Sequence, residues 1–166
     1  MPTSDNLQAA FAGESQANRK YIAFAKKAET DGFPQVARLF RAAAAAETVH
    51  ALAHFRVMSG VKSTAENLQA AVEGEGYEFK QMYPQFVAEA QKEGKAPAVN
   101  SFRLAQAVEE IHYGLYSQAL EAVKGGRDIP AADMYVCEVC GDTVTGAPPE
   151  KCPICNSPRK MFVKVE

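Results

Sequence analysis

Two residue patterns in this 166-residue chain can hold metal. In the first, Glu47 and His50 stand three residues apart, as do Glu109 and His112, and a glycine–glutamate step precedes each pair, Gly13-Glu14 and Gly74-Glu75, with Glu78 three residues beyond Glu75. Residues three apart on a helix project to one side, so a Glu-x-x-His pair can offer carboxylate and imidazole together, the Glu bridging two metals and the His reaching one. Such a ligand mixture suits iron or manganese better than softer metals. The second pattern is Cys137-Glu-Val-Cys140-Gly141 followed by Cys152-Pro-Ile-Cys155. Two Cys-x-x-Cys pairs at this spacing predict a tetrahedral four-thiolate site. Structural zinc and redox-active iron share that tetrahedron and the spacing does not choose between them; two disulfides are the alternative, which a cytosolic setting disfavours.

The elements that must carry these residues change character near residue 124. Twenty-six of the 29 alanines precede Lys124, whereas all four cysteines and five of the nine prolines follow Gly126. Residues 1–124 read as an all-helical domain, 125–134 as a linker marked by Gly125-Gly126 and Pro130, and 135–166 as a small metal-stabilised β domain. About 32 residues cannot build an adequate apolar core, so metal would supply much of that domain's folding free energy. Apolar periodicity near 3.6 places four helices: Asp5 to Glu29, stopped by Asp31-Gly32; Pro34 to Met58; a third to Glu93, capped by Thr64 and kinked at Pro84; and Pro97 to Lys124. The halves look duplicated, because Phe40-Arg41 and Phe102-Arg103 each precede a Glu-x-x-His pair by five residues.

The acids fall on the apolar stripes. Glu14 takes a step of the stripe Leu7, Phe11, Tyr21, Ala25; Val36, Phe40 and Ala43 lead on to Glu47 and His50; Glu75 lies among Leu68, Val72, Phe79, Met82 and Phe86; Glu109 and His112 follow Phe102 and Ala105 and precede Tyr116. A single helix glutamate is ordinarily solvated. Five or six turned inward together would cost several kcal/mol each in desolvation unless cations compensate, and no lysine shares the stripes. Tyr21 and Tyr83 lie about two turns beyond Glu14 and Glu75, where their hydroxyls either support ligand carboxylates or their rings simply pack. His54 reads as a helix-face histidine, and Glu73, Glu89 and Glu110 as solvent charges.

One Glu from each of two helices and Glu-x-x-His from each of the other two is the pattern of ferritin-like di-iron bundles. Glu14, Glu47-x-x-His50, Glu75-x-x-Glu78, Glu109-x-x-His112, then Cys-x-x-Cys-Gly and Cys-Pro-x-Cys, closely resemble rubrerythrin across virtually the whole chain. The resemblance implies a ferritin-like di-iron four-helix bundle followed by a rubredoxin-like Fe(Cys)4 domain, whose cysteine spacing here is shorter than in free-standing rubredoxins. It implies a peroxidase that reduces hydrogen peroxide to water and protects cells that tolerate oxygen poorly, with the cysteine iron relaying electrons from an external donor such as rubredoxin or a nicotinamide-dependent flavin reductase. By the same resemblance Glu47 and Glu109 bridge the irons, Glu14 and Glu75 are terminal ligands, His112 stays on one iron, and Glu78 exchanges with His50 on the other. Glu78 is also the candidate for moving protons. The competing functions are ferritin-like iron oxidation and storage, and reduction of dioxygen by an oxidase.

Chain geometry adds two expectations. Ferritin-like bundles run their second and third helices parallel, yet Ser59 to Ser63 spans at most about 18 Å against helices of about 37 Å. The bundle is therefore either up-down-up-down or exchanged between subunits of a homodimer, and the exchanged form retains the ferritin-like geometry. From Glu109 to Lys124 the last helix rises about 22 Å, which predicts that a second subunit supplies the nearer cysteine iron. A net charge of -2 offers no footprint for nucleic acid. No run approaches a membrane span and the start lacks a signal-peptide profile, so a cytoplasmic protein with no membrane partner is expected.

Overall fold

The computed structural model describes residues 2–166. Four helices precede a small sheet: α1 (Thr3–Thr30), α2 (Pro34–Val57), a third helix made of α3 (Thr64–Tyr77), a π-helical stretch Glu78–Met82 and α4 (Tyr83–Lys92), then α5 (Ala96–Lys124), followed by β1 (Met134–Cys137), β2 (Thr143–Thr145) and β3 (Phe162–Val165). Among the described residues no helix is long and apolar enough to cross a membrane. The chain divides into two compact units, Met1–Lys62 and Ser63–Glu166.

The first unit is the antiparallel hairpin α1–α2. Gly32, at φ +82°, reverses the chain, Phe33 N–H donates to Ala28 O at 2.8 Å, and Pro34 opens α2 where its missing N–H costs nothing. Ala25, Ala28, Ala37, Ala44 and Ala51 are buried, small residues that let the two helices lie close. Aromatic pairs close the seam toward its ends, with Phe11 stacked on Phe55 at 5.0 Å and Phe24 edge-on to Phe40 at 5.6 Å. Asn18, also buried, ties α1 to α2 by donating to Ala44 O and Thr48 Oγ1.

In the second unit the third helix runs antiparallel to α5. Its cap is Ser63 rather than Thr64, because Glu66 stands three residues after Ser63 and the two close a reciprocal capping box. Before Pro84, where a kink is expected, the helix makes a π-helical turn. Tyr83 N–H donates to Glu78 O, and Pro84 has no N–H for Phe79 O, so Gln106 of α5 donates its side-chain amide to that carbonyl at 3.3 Å. Gly76 is buried against Tyr113, where an added Cβ would lie 3.2 Å from the ring, so α3 approaches α5 closely beside Glu75.

Both helical hairpins leave apolar residues uncovered, some on the expected stripes and some beside them. Val36, Phe86 and Tyr116 are more than a third exposed, and Leu39, Val49, Leu52 and Val57 of α2 more than half. Two helices have one shared seam, whereas these stripes are wide enough for a bundle.

The cysteine domain is a three-stranded antiparallel sheet in the order β2-β1-β3, with Tyr135 opposite both Val144 and Lys164. Its core is Cys137, Cys152 and Phe162, packed by Tyr135, Val144, Ile154 and Met161. Each Cys-x-x-Cys turn is closed by a residue in the left-handed region, Gly141 at φ +89° and Asn156 at φ +63°, whose N–H returns to the first cysteine's carbonyl.

Candidate metal centres

Each helical unit brings one set of the expected ligands together. Glu14, Glu47 and His50 in the first unit, and Glu75, Glu109 and His112 in the second, each offer ligand atoms that lie within 4.8 Å of one another. In the first set His50 Nδ1 is 3.0 Å from Glu47 Oε2 and 3.8 Å from Glu14 Oε2; in the second His112 Nδ1 is 2.8 Å from Glu109 Oε2 and 3.9 Å from Glu75 Oε2. Oxygen and nitrogen ligands about 2.1 Å from one ion are separated by about 3.0 to 4.2 Å, so both sets fit a metal. The internal repeat of the sequence therefore reappears as two half-sites of the same composition.

Without a cation the carboxylates share protons. Glu14 is raised above the ordinary carboxylate range, first by its hydrogen bond with Glu47 and then by burial, and the same hydrogen bond, with that of His50, lowers Glu47. Burial, then the hydrogen bond and charge of Glu109, pushes Glu75 up to about 7. Glu78 stands outside the three-residue group, yet burial raises it first and the charge of Glu109 second, while His112 lowers it. Tyr83 is raised by burial and then by the charges of Glu78, Glu109 and Glu75, so its hydroxyl feels the half-site while its ring packs on Phe86 and Phe102. Tyr21 stacks in the aromatic group of Phe24 and Phe40. His54 lies outside the three-residue group, though its charge is the smallest of the influences on Glu14 and lowers it.

The histidines differ. His50 is 55 % exposed, whereas His112 is 26 % exposed and its second ring nitrogen, Nε2, lies 2.9 Å from Thr143 Oγ1 of β2. This contact sets the chain's own cysteine domain against α5, closer to the half-site than helix rise alone suggests. Residues 125–133 can span about 30 Å and let the chain fold back along α5, where a Cβ added at Gly141 would lie 3.7 Å from Val108.

Cys137, Cys140, Cys152 and Cys155 converge on one point and none is in a disulfide. Their sulfurs are 3.7 Å apart between Cys137 and Cys155 and 3.6 Å between Cys140 and Cys152. A tetrahedron with metal–sulfur bonds of about 2.3 Å has an edge of about 3.8 Å, so the four thiols fit a single ion. Burial pushes the Cys140 and Cys152 thiols up. Burial acts upward on Cys155 as well, but the hydroxyl and N–H of Ser157 and the neighbouring cysteines outweigh it and bring it down to about 6. Sequence reasoning missed three supporting residues. Asp142 is fully buried with Oδ2 3.3 Å from Cys152 Sγ, and Thr143 and Gln106 make the contacts described above. None belongs to a spacing pattern, and only tertiary contact reveals them.

Comparison with known proteins places these features. The chain matches the family described as Rubrerythrin over residues 5–120 and the Rubrerythrin, rubredoxin-like domain over residues 135–163. It is 34 % identical to Rubrerythrin-2 of Clostridium acetobutylicum, covering 96 % of this chain and 95 % of that one, and 38 % identical to nigerythrin of Nitratidesulfovibrio vulgaris, covering 96 % and 85 %. The solved structure described as the partially reduced state of nigerythrin is similar at a TM-score of 0.59 and 35 % identity, over 99 % of this chain and 87 % of that one.

The raised carboxyl of Glu75 makes a pH prediction for the metal-free protein. A folded value of about 7 against 4.5 means that the folded chain holds this proton more tightly than the unfolded one. Its stabilising contribution is complete below about pH 4.5 and is lost as pH rises through about 7; Glu14 and Glu78 shift the same way. The urea midpoint of the metal-free protein should fall across this window and Glu75→Gln should flatten the fall. A midpoint that climbs with pH there would contradict the assignment.

Proposed function

The chain belongs to the rubrerythrin family, and on that premise we propose that it is a non-haem di-iron peroxidase that reduces hydrogen peroxide to water, with the cysteine-bound iron relaying electrons to the carboxylate–histidine centre. The observation that carries the reading is the hydrogen bond between His112 and Thr143, which joins a half-site suited to paired irons to a site suited to a one-electron carrier. When bound, the paired irons supply the two electrons that cleavage of the O–O bond requires, and the four-thiolate iron restores them singly. A storage protein has no use for that second site.

The chain's own residues have distinct tasks in this proposal. Glu47 and Glu109, each 18 % exposed and less accessible than Glu14 and Glu75, would bridge the metals; Glu14 and Glu75 would be terminal ligands; His112, held by the cysteine domain, would stay in place. His50, more than half exposed, has room to alternate with Glu78. Glu78 begins the π-helical turn and its raised carboxyl retains a proton better than a surface glutamate, which suits a group that protonates departing oxygen. Tyr21 and Tyr83 support the ligand carboxylates. The division of labour is 1–124 for the di-iron domain, 125–134 for the linker and 135–166 for the cysteine domain, with rubredoxin or a flavin reductase as the external donor.

A complete centre needs both half-sites, and we place them in different copies: α1–α2 of one chain completes α3–α5 of another in an exchanged homodimer. Three observations support this. The chain divides into compact units at Lys62 and Ser63; the six residues Met58–Ser63 reach at most about 21 Å, against about 36 Å for α2; and both hairpins expose apolar stripes that a partner would cover.

Two experiments test these proposals. Anaerobically reduced, iron-loaded protein should react much faster with hydrogen peroxide than with dioxygen and turn red as the four-thiolate iron becomes ferric. A faster dioxygen reaction would make it an oxidase, and a colourless zinc-filled cysteine site would remove the relay. For the exchange, a chain carrying Glu47→Ala and His50→Ala should be mixed with one carrying Glu109→Ala and His112→Ala. An exchanged mixed dimer regains one whole site of two and hence about half the turnover, whereas inactivity in purified mixed dimers would show that each chain builds its own site.

A further inference from the structure

We infer that Thr143 is the residue that couples the helical half-site to the cysteine domain, fixing the ring of His112 and completing a bonded route from Cys140 to that ring. The geometry is a chain of three groups: His112 Nε2 lies 2.9 Å from Thr143 Oγ1, and Thr143 Oγ1 lies 3.1 Å from Gly141 O. A peptide carbonyl only accepts, so the Thr143 hydroxyl must donate to it. Its oxygen then faces Nε2 as an acceptor, which requires the proton of a neutral His112 to sit on Nε2. The lone pair is thereby left on Nδ1, where it would face a cation held with Glu109 and Glu75, the cation replacing the 2.8 Å hydrogen bond that Nδ1 makes with Glu109 Oε2 in its absence. The terminal carbonyl thus sets the tautomer that a metal needs.

The same hydroxyl closes the path between the two sites. Gly141 directly follows Cys140, and its N–H donates to Cys137 O at 2.8 Å, so the residue whose carbonyl is the acceptor is itself held within the four-thiolate turn. From Cys140 the connection runs through the backbone of Gly141 to its carbonyl, then through the Thr143 hydroxyl to the His112 ring. His50, which shares the Glu-x-x-His pattern, makes no such contact among the described residues. With iron bound among the four cysteines and at His112, this route would carry one electron at a time from the first to the second, with no bond made or broken and no net proton transfer. This electron role rests on the peroxidase reading; the tautomer role does not.

Two measurements on the full-length protein separate these roles, using Thr143→Val, which keeps the shape without the hydroxyl, and Thr143→Ser, which keeps the hydroxyl. In zinc-loaded protein with 15N-labelled histidine, long-range 1H–15N spectra should show His112 protonated on Nε2, its proton exchanging with water at least about 10-fold faster in Thr143→Val and at the native rate in Thr143→Ser. His112 protonated on Nδ1, or equal exchange in native protein and Thr143→Val, overturns the positioning role. In iron-loaded, fully reduced protein mixed rapidly with peroxide, the red colour should return roughly 10- to 100-fold more slowly in Thr143→Val than in native protein or Thr143→Ser, with iron content and the final ferric spectrum unchanged. Equal rates in native protein and Thr143→Val, or Thr143→Ser as slow as Thr143→Val, overturn the electron role. If native protein itself gains no colour from peroxide, the peroxidase reading has failed, and the zinc experiment still decides whether Thr143 positions His112.

Discussion

Carboxylates that face one another across a helical seam set the main constraint on this molecule. Glu14 against Glu47, and Glu75 against Glu109, lie close enough to share protons, and each pair meets a histidine from the same seam. In a single chain these acids are only half-buried, and proton sharing limits the repulsion. Covering the open faces of the hairpins would desolvate them further, at several kcal/mol per uncompensated charge. A divalent cation replaces the shared proton and reverses the sign of the interaction. In the proposed exchanged dimer, metal binding and completion of the bundle would therefore be coupled, each lowering the cost of the other.

The cysteine domain solves a different problem with the same means. Its sheet has strands of three or four residues and a core of two cysteines and one phenylalanine, too little apolar surface to hold a fold alone. Four sulfurs at the edge lengths of a tetrahedron supply the missing cohesion. The turns that present them need a left-handed residue after each second cysteine, which Gly141 and Asn156 provide. That local requirement also aims the carbonyl of Gly141 at Thr143, so the geometry that builds the metal site sets up its contact with α5.

Much of this could be read from the chain. Helix limits at Gly32, Pro34 and Gly94, both Glu-x-x-His pairs and the four cysteines followed from periodicity, capping chemistry and spacing, because each depends on residues a few positions apart. Ser63 was misjudged by one position because Glu66, not local preference, selects the cap. The π-helical turn at Glu78 was not legible: it depends on Gln106, more than twenty residues downstream, satisfying the carbonyl that Pro84 cannot. Nor was the return of the cysteine domain onto α5, since linker composition indicates flexibility but not direction. Tyr21 and Tyr83 occupy matching places in the repeat, and only the charges felt by Tyr83 distinguish its surroundings from plain aromatic packing.

The account stands on metal compensating inward carboxylates, and diffraction from iron-loaded crystals collected at the iron absorption edge tests that most directly. Two anomalous peaks should lie among Glu14, Glu47, Glu75 and Glu109, flanked by His50 or Glu78 and by His112, with a third among the four cysteine sulfurs. A single peak at the cysteines, with the four glutamates hydrated and the helices packed as before, would contradict it.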